Sequence, residues 1–194
     1  MIEPELLLKL YIDDKASMME IAKSLHCSVH KIAYWMDVHK IPRRTISEAI
    51  YQKSNPNGDP FLVKPITTKR DAELLGLGLG LYWGEGNKAN KTSLRLGNTD
   101  PELIKSFMRF LIELFGVQQN KFKFTLQIFT DINPETALNY WVEQLQANRS
   151  QFGKITVTIS GSIGTYRNKC EYGVLTVCCH NKKLRDIIMD MLPR

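Results

Sequence analysis

Between positions 1 and 51 the apolar residues recur three and four apart, the period of a helix that buries one face. Glu3 to Tyr11 reads as an apolar-rich helix. Ser17-Met18-Met19-Glu20 is a capping box and opens a second helix with Ile21, Ala22 and Leu25 on one side. His26-Cys27 makes a tight turn, and Ser28 caps a third helix carrying Val29, Ile32, Trp35 and Met36 at helical spacing. That helix ends near His39-Lys40, ahead of Ile41-Pro42. Residues 52–69 lose the pattern: three prolines, a glycine and an Asn-Gly turn signal mark a linker. From Asp71 onward helices alternate with strands. The expected class is α+β, with an all-α unit over 1–51, a linker over 52–69 and a mixed domain over 70–194.

Two short helices joined by a tight turn, the second with an aromatic anchor, form the helix-turn-helix pattern. Ala22 falls where the two helices cross, a place that favours a small side chain. The outward positions of the third helix include Lys31 and Tyr34, suited to base edges. Arg43 and Arg44 follow the helix and suit phosphates. The segment resembles the small helix-turn-helix domains of resolvases and transposases. The competing reading is a three-helix bundle used for protein contacts.

The later strands alternate. Lys121, Lys123, Thr125 and Gln127 interleave with Phe122, Phe124, Leu126 and Ile128. Lys154, Thr156, Thr158 and Ser160 interleave with Ile155, Val157 and Ile159, and Ser93 and Arg95 with Leu94 and Leu96. One face of the sheet is apolar. The other carries Lys, Arg, Thr, Ser and Gln with almost no acid, where an ordinary solvated face mixes both signs. Such a face suits a phosphate backbone, so Ser93, Arg95, Lys121, Lys123, Thr125, Gln127, Thr156 and Thr158 are expected at DNA.

Glu73 to Gly86 reads as a leucine-rich helix with four interior glycines. Each glycine costs a helix about 0.5–1 kcal/mol relative to alanine. Gly76, Gly80 and Gly84 recur every four residues and form a stripe that admits a second backbone, with Leu77, Leu81 and Glu85 on the adjacent one. No second copy of this helix exists in the chain, so its partner is expected to be another chain: a homodimer through Gly76, Gly80, Leu81 and Gly84. Glu85 ends the helix, where the dipole disfavours a carboxylate, and a bound cation would explain it. A phosphate-binding loop is disfavoured, because no Gly-Lys-Ser/Thr follows the glycines.

Composition adds little beyond this. The net charge of +6 and pI of 9.1 favour a polyanionic partner. The four cysteines form no Cys-x-x-Cys pair, which speaks against a structural zinc site or a disulfide framework, and His26, Cys27 and His30 read as polar residues around a helix start. No apolar run is long enough to span a bilayer, and no signal peptide pattern opens the chain; no membrane association and a cytoplasmic location are expected.

The glycine helix resembles the motif of the LAGLIDADG homing endonucleases. Aligned on Gly86, Gly78 to Gly86 cover its nine positions: Gly80, Leu81, Gly84 and Gly86 match, Glu85 stands for the final aspartate, and Trp83 occupies the first acidic position. Asn98-Thr99-Asp100 before a helix closed by Gly116, and Tyr172 to Val177 before a final helix, are similar to the family's continuation, so the resemblance spans roughly Asp71 to Leu192. It implies a single-motif domain whose curved antiparallel sheet, backed by helices, lies on double-stranded DNA. It implies that Glu85 binds Mg²⁺ (or Mn²⁺) and that two chains are needed to cut both strands. A basic residue should assist catalysis, with Lys154, Lys169 and Lys182 as candidates. The alternative is a transcriptional regulator that keeps the fold and binds DNA without cutting it.

Overall fold

The computed structural model describes residues 1–159 and 170–193; residues 160–169 and Arg194 lie outside them. The chain divides into two compact units, 1–60 and 61–194.

The first unit is all helix. α1 (Pro4–Leu8) runs directly into a π-helical turn, Lys9–Asp13. α2 (Met18–Ser24) begins at Ser17, whose hydroxyl accepts from the Glu20 amide while Glu20 accepts from the Ser17 amide: the capping box forms as expected. The Ser28 side chain caps α3 (Val29–Val38). Between α2 and α3, His26 adopts φ +50°, a left-handed conformation that a turn of so few residues requires. The core is Ile2, Leu7, Tyr11, Ile21, Ala22, Ile32, Met36 and Ile41. A further helix, α4 (Ile46–Ser54), was not anticipated, although Thr45-Ile46-Ser47-Glu48 is a second capping box and forms as one. Residues 52–69 thus begin with the last turn of α4. Beyond Pro60 they contain an extended stretch in which the Leu62 and Lys64 amides donate to the Phe115 and Leu114 carbonyls.

The second unit is mixed α+β. α5 (Lys69–Glu85) is capped by Thr68, and α6 (Pro101–Phe115) carries Asp100 at its N-cap, Pro101 at its first position and Gly116 at φ +60° beyond its end. α7 (Pro134–Leu145) and α8 (Lys182–Asp190) complete the helices. The sheet order is β1 (Leu94–Asn98), β4 (Val174–Cys179), β2 (Phe122–Phe129), β3 (Thr156–Thr158). Leu94, Leu96, Phe122, Phe124, Leu126, Leu175 and Val177 share one core with α5, α6, α7 and α8.

The sheet is mixed, which corrects the antiparallel expectation. β1–β4 and β4–β2 are antiparallel, but β2 and β3 run parallel. The reason is α7: a helix inserted between two strands carries the chain back to the end where it started, so the next strand returns in the same direction. β3 is also shorter than the alternation over 154–160 suggested. Phe152 bridges Phe124, whereas Thr156 pairs with Gln127, so the register advances by one residue between them. This bulge leaves Lys154 exposed ahead of the strand.

An ion pair anchors the start of α5. Asp71 is buried, and Lys64 Nζ donates to its Oδ1 at 2.8 Å. The hydrogen bond from Lys64, then that of Thr68, holds the Asp71 carboxyl below its ordinary value. A carboxyl depressed on folding stabilises the fold above its unfolded pKa, and that stabilisation disappears as pH falls through the folded value. Asp71→Asn should therefore lower the urea midpoint of the second unit at neutral pH. The gap to wild type should close in strong acid. Parallel pH curves for the two proteins would exclude this role for Asp71.

Candidate nucleic-acid interface

In the first unit, Lys31 and Tyr34 are exposed on α3, as are Val29 and His30 at its start. Arg43 is exposed and pairs with Asp37 at 3.2 Å, so its charge is partly offset by a neighbour on α3. Arg44 behaves otherwise. Its Nη2 donates to the carbonyls of Tyr11 at 2.7 Å and Ala16 at 2.6 Å, and its Nη1 donates to the Lys15 carbonyl and to Gln52 Oε1. The guanidinium lies 3.9 Å from the Tyr11 ring centroid. Arg44 thus spends its donors tying α4 and the π-turn together. Its role here is structural, despite its place in a basic run.

In the second unit, the sheet face turned away from the core forms rows across the strands. Arg95, Cys178 and Lys123 make one; Gly97, Thr176 and Thr125 the next; then Val174, Gln127 and Thr156; then Phe129 and Thr158. None of these residues is acidic. Lys123, Thr125, Gln127 and Thr156 are exposed, and Gln127 Nε2 donates to Thr158 Oγ1 at 3.1 Å. Lys121 is exposed in a short turn ahead of β2 rather than in the strand. Ser93 is buried, accepting from Arg95 Nε at 3.0 Å and donating to Asn90 Oδ1 at 3.0 Å, so it orients Arg95 from beneath. Burial pushes the Cys178 thiol up against the opposing influence of Arg95, and burial beside Cys178 pushes Cys179 up to about 11. Both sulfurs are therefore protonated at neutral pH and poor as nucleophiles or metal ligands.

α5 treats its glycines differently. A Cβ at Gly78 would lie 2.1 Å from Phe110 Cγ, so this glycine lets α6 close on α5. A Cβ at Gly76, Gly80 or Gly84 would meet nothing within 4 Å. These three lie on the exposed side of α5, flanked by Leu77 at 42% and Trp83 at 59% exposure. Leu81 instead packs partly against its own core. Leu77 lies on the stripe next to the glycines, as the spacing predicts, and Trp83, three residues from Gly80, adjoins the glycines as well.

Glu85 ends the row Leu74, Gly78, Leu81, Glu85, the side of α5 that adjoins the core, but stands past the core's edge and is exposed. The next residues hook the helix end onto the sheet: the Gly86 amide donates to the Tyr82 carbonyl at 2.9 Å, Gly86 bridges Leu96, and the Asn87 amide donates to the Arg95 carbonyl at 2.8 Å. A Cβ at Gly86 would lie 2.3 Å from the Tyr82 carbonyl oxygen, so only glycine fits beside that ring. The acid is thereby set next to the strand that carries Arg95. Of the basic candidates, Lys182 pairs with Asp186 at 2.5 Å, Lys154 is exposed before β3, and Lys169 lies outside the described residues.

Among the described residues no three His, Cys, Asp or Glu side chains gather into a metal-binding group. Glu85 belongs to no such group. No helix among the described residues is long and apolar enough to cross a membrane. Set against protein-family models, curated proteins and solved structures, the chain matches none. The second unit is thus defined by its own geometry: a four-stranded mixed sheet with helices on one face and an acid-free polar face on the other.

Proposed function

We propose that this protein binds double-stranded DNA through both units and, as a homodimer paired through α5, cleaves it with Mg²⁺ or Mn²⁺. The observation that carries the reading is the placement of Glu85. An exposed carboxylate ends a helix whose glycine side is open to a second copy, and the turn that follows it joins the backbone of the strand that carries Arg95. Arg95, Lys123, Thr125, Gln127 and Thr156 would contact the backbone and base edges, with Lys121 at the rim. Two Glu85 carboxylates, brought together about a twofold axis, would hold the cation together with phosphate oxygens. When bound, such a cation activates water and stabilises the leaving oxygen of an in-line displacement.

In the first unit, α2 and α3 would act as a helix-turn-helix, with Lys31 and Tyr34 in the major groove and Arg43 at a phosphate. Removing residues 1–60 should weaken DNA binding while the second unit stays folded. If Arg43 neutralises one phosphate, the slope of log affinity against log salt should become shallower by about 1. An unchanged affinity and slope would remove this unit from the interface.

Incubation with a supercoiled plasmid library and Mg²⁺ or Mn²⁺ tests the whole reading. Nicked or linear product at defined sites supports it. Tight binding to a defined site without any nick would establish the regulator instead.

A further inference from the structure

Glu85 stands at the carbonyl end of α5, where a helix least favours a negative charge. Two cations converge on that end from outside the helix. Lys88 folds back so that its Nζ donates to the Trp83 carbonyl at 2.6 Å and approaches the Tyr82 carbonyl at 3.5 Å. The Lys88 carbonyl in turn accepts from Arg185 Nη2 at 3.1 Å. Lys88 is thus tied twice, by its side chain to the last turn of α5 and by its backbone to α8.

Arg185 is only 8% exposed. Its Nη1 pairs with Asp186 at 2.8 Å, while its Nε–H is buried without a partner. Burying a guanidinium with an unmet donor is costly, and an apolar side chain would fill the space more cheaply. A brace on the turn behind Glu85 accounts for an arginine here.

We infer that Lys88, braced by Arg185, is the positioning residue of the Glu85 site. It satisfies the last carbonyls of α5, fixes the backbone from which Glu85 projects, and sets a positive charge where the helix end and the acid are both negative. It acts through Glu85 and touches no reacting atom. The inference rests on the reading of Glu85 as the acid of the site.

The test compares full-length wild type, Lys88→Met and Lys88→Arg. Amide exchange of Gly86, whose N–H bonds the Tyr82 carbonyl, reports the end of α5 without any need for activity. Lys88→Met should accelerate that exchange by about tenfold or more and slow nicking at saturating DNA and Mn²⁺ by a similar factor, with DNA affinity within about twofold. Lys88→Arg, which keeps the donor and the charge, should restore both. Unchanged Gly86 exchange in Lys88→Met would overturn the inference. So would a loss of nicking matched by a loss of DNA affinity, or one that Lys88→Arg leaves unrepaired. If the wild type binds DNA but never nicks it, the endonuclease reading falls, and Gly86 exchange alone decides whether Lys88 holds the helix end.

Discussion

Replacing Glu85 with glutamine is expected to abolish strand cleavage and to leave DNA binding intact or tighter. The substitution preserves shape and removes one charge. In a dimer paired through α5, two carboxylates at two helix C-termini repel each other unless a cation lies between them. The same carboxylates repel nearby phosphates. Without the charge the cation loses its protein ligand, so cleavage should fall by on the order of 10²–10³-fold or more, the range seen when one electrostatic stabiliser of a transition state is removed. Binding should lose nothing, because its favourable contacts are proposed to come from the sheet face and from α3. Cleavage assays and salt-resolved affinity measurements on the same preparations read both effects. A Glu85→Gln variant that cuts at the wild-type rate would refute the assignment of the acid. A regulator would show no cleavage in either protein and little dependence of binding on divalent metal.

The second large effect separates glycines that look alike in the sequence. Gly78→Leu should unfold or severely destabilise the second unit. Even the first added carbon would overlap the ring of Phe110 on α6, which is fully buried. Overpacking a filled core costs about 1–3 kcal/mol and more where nothing can move aside. Gly80→Leu should leave the monomer folded, since a Cβ there meets nothing within 4 Å. It should even gain the helix propensity that glycine lacks, about 0.5–1 kcal/mol. The loss should appear instead in self-association, because the bulky side chain holds a second α5 away. Urea unfolding and sedimentation velocity distinguish the two cases. Equal stability loss in both variants would show that the Gly80 side is packed within the chain. A Gly80→Leu protein that dimerises as wild type does would move the dimer interface elsewhere.

That contrast shows what the sequence alone could tell about α5. Its helical period, its glycine spacing and the acid at its end were all legible, because they depend on residues close together in the chain. Which glycine faces α6 was not, because a period of 3.6 gives relative directions and no absolute one. The neighbour that settled it, Phe110, lies 32 residues away in the numbering.

The same division runs through the rest of the protein. Local chemistry determined the caps at Ser17, Ser28 and Asp100, the closure of α6 at Gly116, and the alternation over Phe122 to Ile128 that makes one sheet face apolar and the other polar. Each is a matter of hydrogen bonds or side-chain direction within a few residues. The α4 capping box, Thr45 to Glu48, is equally local. Only the tertiary structure decided the parallel pairing of β3 with β2, since strand direction depends on where the α7 crossover delivers the chain. It alone turned Arg44 inward onto backbone carbonyls, and buried Ser93 beneath Arg95. It also brought Lys88 and Arg185, 97 residues apart, onto the turn behind Glu85. A cation's partners are chosen by whatever unmet carbonyl or carboxylate packing places within reach, and a residue's type and neighbours in the chain do not encode that distance.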